Sequence, residues 1–137
     1  MKLNFSFAEV GEYVKEHYGK SVVLSRVGDK ELCVTYQQKI VIKTFNVSVN
    51  IAIEDVRPDG VTIKYDGGLG VDTLISGALM VFKSAFSELS AMVIPEDGHR
   101  VRVELSKVAQ AQKALEMLAL KDVWVTGEGV SIEASLK

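Results

Sequence analysis

Few residues in this chain combine the types and spacing that chemistry requires. "PEDGHR" gathers Glu96, Asp97, His99 and Arg100, a set able to pass a proton between carboxylate and imidazole. Turns ahead of strands collect the same residue types because they are solvated, and the segment is read as such a turn. His17 is the only other histidine, and neither imidazole has a second ligand at a metal spacing. Cys33 is the only cysteine. It has no disulfide partner within the chain, and its strand-like context "ELCVTY" suits a buried, inert thiol. Glu54 and Asp55 look like a strand end, and Trp124 like a sheet-face aromatic. No Ser/His/Asp order can be assembled. The expectation is a non-enzyme with no catalytic residue, metal or cofactor.

"YDGGLGVDT" is the one segment that resembles a nucleotide loop. A dinucleotide fingerprint needs G-x-G-x-x-G between strand and helix, but Thr73 stands where the third glycine belongs after Gly68 and Gly70. Asp72 is placed to cap the following helix with its own carboxylate, which leaves the helix start closed to phosphate. With 16 basic and 18 acidic residues the net charge is −2, and no run of like charge marks a nucleic-acid partner. The apolar stretch after the loop is broken by Ser76, Lys83, Ser84, Ser87 and Glu88, too often for a transmembrane span. "MKLNFSFAEVGEY" lacks the apolar core of a signal peptide, so the cytoplasm is the default location.

These residues need a scaffold, and 137 residues with 47% apolar content are enough for one domain spanning 1–137. "SFAE" reads as a capping box over Ser6 and Glu9, opening a helix with Phe7, Val10, Val14 and Tyr18 on one face and Gly19 as its stop. "SVVLSRV" and "ELCVTY" form a hairpin about "GDK". Lys39 to Glu54 reads as one long strand with a parity switch near Lys43 and Thr44, which suggests a bulge or bend that lets the strand curl. "VRPDGV" turns the chain into "VTIKY", and the resulting hairpin has one apolar face that something must cover. Asp72 to Val93 reads as a long central helix ending before Pro95, with Leu74, Leu79, Phe82 and Phe86 on its apolar face. "RVRVEL" is a strand, Ser106 is placed to cap a third helix, and "DVWV" and "VSIEASL" close a last hairpin. The predicted fold is α+β: a curved, mostly antiparallel sheet of about eight strands wrapped around a long apolar central helix, with two shorter helices.

Three segments, "FNVSVNIAIEDVRPDGVTIKY", "LISGALMVFKSAFSELSAMV" and "VRVELSKVAQAQKALEMLALKDVWVTGEGVSIEASL", cover more than half the chain. Their order resembles the TULIP superfamily of tubular lipid-binding modules, and the last resembles the closing strand, helix and strand of small bacterial members. The resemblance implies a bent sheet around a helix with an apolar channel between them. Such a protein would hold a lipid-like small molecule against Leu74, Ala78, Leu79, Phe82 and Phe86, faced by Val47, Val49 and Ile51. The alternative is a structural or interaction protein with a filled core and no ligand, including a homo-oligomer.

Overall fold

The computed structural model describes residues 1–19, 21–40, 42–67, 71, 75–76, 79–80, 84 and 87–137, excluding the side chains at 18, 38–40, 43–45, 87–89 and 110. Two antiparallel sheets account for the strands. The smaller runs β1 (Lys2–Ser6), β9 (Gly129–Leu136), β8 (Leu118–Val125). The larger runs β2 (Val22–Gly28), β3 (Glu31–Ile40), β4 (Lys43–Arg57), β5 (Gly60–Gly67), β7 (Arg100–Glu104), β6 (Val93–Glu96). Among the described residues two α-helices have printed bounds, α1 (Phe7–Tyr18) and α2 (Ala109–Met117).

Helix α1 follows its local signals. The Ser6 hydroxyl accepts from the Glu9 amide at 3.1 Å, and the Glu9 carboxylate accepts from the Ser6 amide at 3.3 Å. These bonds satisfy donors that the first helical turn leaves open. Gly19 ends the helix in the left-handed region at φ 66°, and its N–H bonds the Lys15 carbonyl. The hairpin turns at 29–30 and 58–59 lie where glycine, proline and aspartate were expected to put them. Strand β8 crosses both turns and joins the sheets. Leu120 N–H donates to the Pro58 carbonyl at 2.9 Å, Val125 N–H to the Asp29 carbonyl at 2.7 Å, and Lys30 pairs with Asp122.

The central-helix architecture is overturned. Among the described residues there is no long central helix; the two α-helices have 12 and 9 residues and lie elsewhere in the chain. Of 71–86 the described positions are Val71, Ile75, Ser76, Leu79, Met80 and Ser84, each with helical backbone. Asp72, Leu74, Ala78, Phe82 and Phe86 lie outside the described residues. Ser87–Met92 is a 3-10 helix, and Val93 already belongs to β6. At Val93 the strand begins because β7 offers it a ladder partner in Val103.

Three smaller expectations also change. The parity switch near Lys43 is a chain reversal: Ile40 pairs with Lys43, and the ladder runs unbroken to Glu31 and Ala52. Reversal and bulge both flip facing, so alternation could not tell them apart. A register shift does occur in β4, between Ile53 and Asp55. Ser106 lies in a 3-10 turn, Leu105–Lys107; α2 starts after Val108, which makes no side-chain cap, because Leu105 N–H is held by the Asp59 carbonyl. Leu118 opens β8 and does not extend the helix. Lys2–Ser6 adds a strand that its own pattern did not announce; β9 supplies the ladder.

The core sits on one face of the larger sheet. Val49, Tyr65, Val71 and Val101 are buried together, with Ile51, Ile63, Ile75 and Val93 packed against them. No helix of the described residues is long and apolar enough to cross a membrane.

Candidate functional site

Residues directly opposite in an antiparallel ladder share a face. Register therefore gathers Leu32 with Ile51, Val34 with Val49, and Tyr36 with Val47 on the apolar face of β3 and β4. Ile51 continues to Tyr65, and Ile63 to Val101. The three β4 residues expected to line a ligand are thus on one face. Val49 is only 3% exposed and belongs to the packed core, whereas Val47 and Ile51 are half-buried. Leu79 is half-buried too.

Tyr36 brings a polar tip to this face. Its hydroxyl oxygen is hidden from solvent and makes no hydrogen bond. Burial pushes its phenol pKa above the ordinary 10.0, because the charged phenolate would lose its hydration. A hidden hydroxyl without a partner costs about 1–3 kcal/mol, so its place beside half-buried Val47 is informative. Tyr36 was missed in the sequence. Leu32, Val34 and Tyr36 alternate there in "ELCVTY", and the tyrosine could have been picked out as the polar-tipped member of an apolar row.

The opposite face is ionic. Arg100 donates to both Glu54 carboxylate oxygens, at 2.6 and 2.9 Å. Arg57 donates to Asp55 and Thr62 at 2.8 Å and to Glu104 at 3.1 Å. Arg102 stands 3.2 Å from Glu104 and 3.6 Å from Glu96. Where this face meets β8, a cleft of about 250 Å³ is lined by Lys30, Ile53, Glu54, Asp55, Val56 and Asp122. The hydrogen bond from Arg100 holds the Glu54 carboxyl below its usual range, and that from Lys30 does the same for Asp122. Carboxylates held in this way stay ionised at neutral pH and make poor proton carriers. Among the described residues no group of three or more His, Cys, Asp and Glu side chains is arranged to hold a metal.

The "PEDGHR" set disperses for the same reason. Glu96 faces Arg102, and Arg100 is engaged by Glu54. The His99 ring stacks on Tyr65 at 5.3 Å between centroids, and its carbonyl accepts from the Tyr65 amide at 2.8 Å. His99 adopts φ 59°, beside Gly98 at φ 76°, which the tight β6–β7 turn requires. His17 stacks on Tyr13 at 4.0 Å, and the Lys2 ammonium lies 5.1 Å over the Trp124 ring. Cys33 is half-buried, within 3.8 Å of the Thr35 hydroxyl. The glycines at 68 and 70 and the expected cap Asp72 lie outside the described residues. No family model, curated protein or solved structure matches the chain.

Proposed function

We propose that the chain is a non-catalytic binding module for an amphipathic, lipid-like small molecule held against the apolar face of its larger sheet. The observation that carries this reading is the hidden, unpartnered Tyr36 hydroxyl on that face. A ligand's polar group would satisfy the hydroxyl, while its apolar part would rest on half-buried Val47, Ile51 and Leu79. Both halves of the interaction are favourable: a buried polar group gains its missing hydrogen bond, and apolar surface leaves water.

One observation favours a filled core without a ligand. Val49 lies in the middle of the expected lining, yet it is packed with Tyr65, Val71 and Val101. Native mass spectrometry of gently purified protein, followed by lipid extraction, separates the two readings. A co-purifying lipid-sized mass is expected, reduced in Tyr36→Phe. A clean apo mass would refute ligand binding and leave the structural or interaction protein.

A further inference from the structure

Strand β1 is the outermost strand of the smaller sheet. Strand β9 pairs with one of its edges, and among the described residues no strand pairs with the other. The ladder shows which groups the free edge carries. Met1 and Ala134 exchange both backbone bonds, and Phe7 N–H donates to the Glu128 carbonyl at 2.8 Å. Bonded pairs alternate along an antiparallel ladder. Met1, Leu3 and Phe5 therefore turn their backbone groups toward β9, whereas Lys2, Asn4 and Ser6 turn theirs outward. The Ser6 N–H is taken by the Glu9 carboxylate. No described residue bonds the outward N–H and C=O groups of Lys2 and Asn4.

Edge strands are ordinarily guarded by a proline, a bulge or an outward lysine. On the larger sheet, the outermost strand β6 carries Pro95 and Glu96. On β1 the polar side chains fold inward instead. The Lys2 ammonium reaches back across β9 to lie 5.1 Å over the Trp124 ring of β8, and Asn4 Oδ1 accepts from the Ser131 hydroxyl at 2.6 Å. On the opposite face Met1, Leu3 and Phe5 form an apolar row, 64, 50 and 42% exposed. Open backbone groups and an open apolar row thus share one edge.

We propose that β1 pairs with β1 of a second copy of this chain, antiparallel about a twofold axis at Leu3, joining the two smaller sheets into one. In that register Lys2 faces the partner's Asn4 and Asn4 faces the partner's Lys2, so the open N–H and C=O groups satisfy one another. Leu3 faces the partner's Leu3 and Met1 the partner's Phe5, so the apolar rows meet on one face. Lys2 is the only charged side chain from Met1 to Ser6, and it never faces its own copy. An axis at Asn4 would set Lys2 against Ser6, whose N–H is already engaged. The edge therefore supplies both halves of its own complement, which selects a second copy over an unrelated strand. Such a contact uses the same patch on both partners and closes at a dimer. Met1 to Phe5 is less than a stable interface engages, so the pair is a reversible one. This pairing stands on β1 alone and does not depend on a ligand at Tyr36.

Sedimentation velocity of the full chain over a concentration series tests it. The wild type is expected to shift from monomer toward dimer as its concentration rises to about 1 mM. Over the same range, hydrogen exchange at the Lys2 and Asn4 amides should slow. Leu3→Glu and Leu3→Lys each set like charges opposite one another at the axis and should weaken the dimer at least about tenfold. Mixed in equal amounts, the two variants should restore it, because each then faces its opposite. Val23→Glu, at an exposed apolar position on β2, should leave it unchanged. A wild type that stays monomeric, a dimer that survives Leu3→Glu or is lost in Val23→Glu, or a mixture that stays monomeric would each overturn the proposal. Unchanged exchange at Lys2 and Asn4 in a dimerising wild type would do so too, a readout that does not rest on any variant folding. A chain that is monomeric alone, and whose β1 edge takes an extended segment of another protein, would refute it as well.

Discussion

Replacing Tyr36 by phenylalanine removes one oxygen and tests whether that oxygen is an unmet polar group. The hydroxyl is hidden and unbonded, so the ligand-free fold carries its desolvation cost, about 1–3 kcal/mol. Removing the oxygen leaves a void of only one atom, worth a few tenths of a kcal/mol. Tyr36→Phe should therefore stabilise the delipidated protein by about 1–2 kcal/mol, or roughly 3–5 °C in Tm for each kcal/mol in a chain of this length. Urea and thermal melts of delipidated samples give the number. Alkaline pH adds a second signature. The folded-state phenol pKa is raised above 10.0, so the unfolded chain ionises first. The tyrosine's contribution is whole below about pH 10 and is lost as the pH rises further, a loss the phenylalanine variant cannot show. The advantage of Tyr36→Phe should widen above about pH 10. A loss of about 1 kcal/mol at neutral pH, the ordinary result for a hydrogen-bonded tyrosine, would refute the reasoning.

The Glu54 carboxyl, held low by Arg100, contributes stability that is present above its unfolded pKa near 4.5 and lost as pH falls through the lower folded value. Glu54→Gln should accordingly flatten the fall of Tm between about pH 5 and pH 3, and parallel curves for the two proteins would contradict this. Val49→Ala should cost about 2–3 kcal/mol in urea melts, because two methyl groups leave a packed site. Half-buried Val47 should cost about half as much on the same change; equal losses would place both residues in one filled core.

Elements whose signals sit within a few residues were legible. The Ser6–Glu9 capping box and Gly19 define α1 through bonds that span three or four positions. The alternation of Val47, Val49 and Ile51, and of Arg100, Arg102 and Glu104, gave the two faces of the larger sheet. Failures arose where one local pattern fits two structures. Alternation around Lys43 suits a bulge or a reversal, and only the pairing of Ile40 with Lys43 decides. The apolar run before Pro95 has helical spacing, yet Val93 joins a ladder beside Val103. Lys2–Ser6 has no strand pattern and becomes a strand because β9 lies alongside it.

By itself the sequence determined helix α1, the turns at 29–30 and 58–59, and the faces of β4 and β7 that carry charged or apolar side chains, because capping, turn geometry and alternation act over short separations. Tertiary structure alone decided which strands pair, that two sheets replace one wrapped sheet, and that β8 ties them through the Pro58 and Asp29 carbonyls. It alone decided that Arg100 meets Glu54 across 46 residues, and that the Tyr36 hydroxyl is hidden without a partner. Such contacts depend on register between distant segments. Register is fixed by the summed burial of whole faces, which no short stretch of sequence contains.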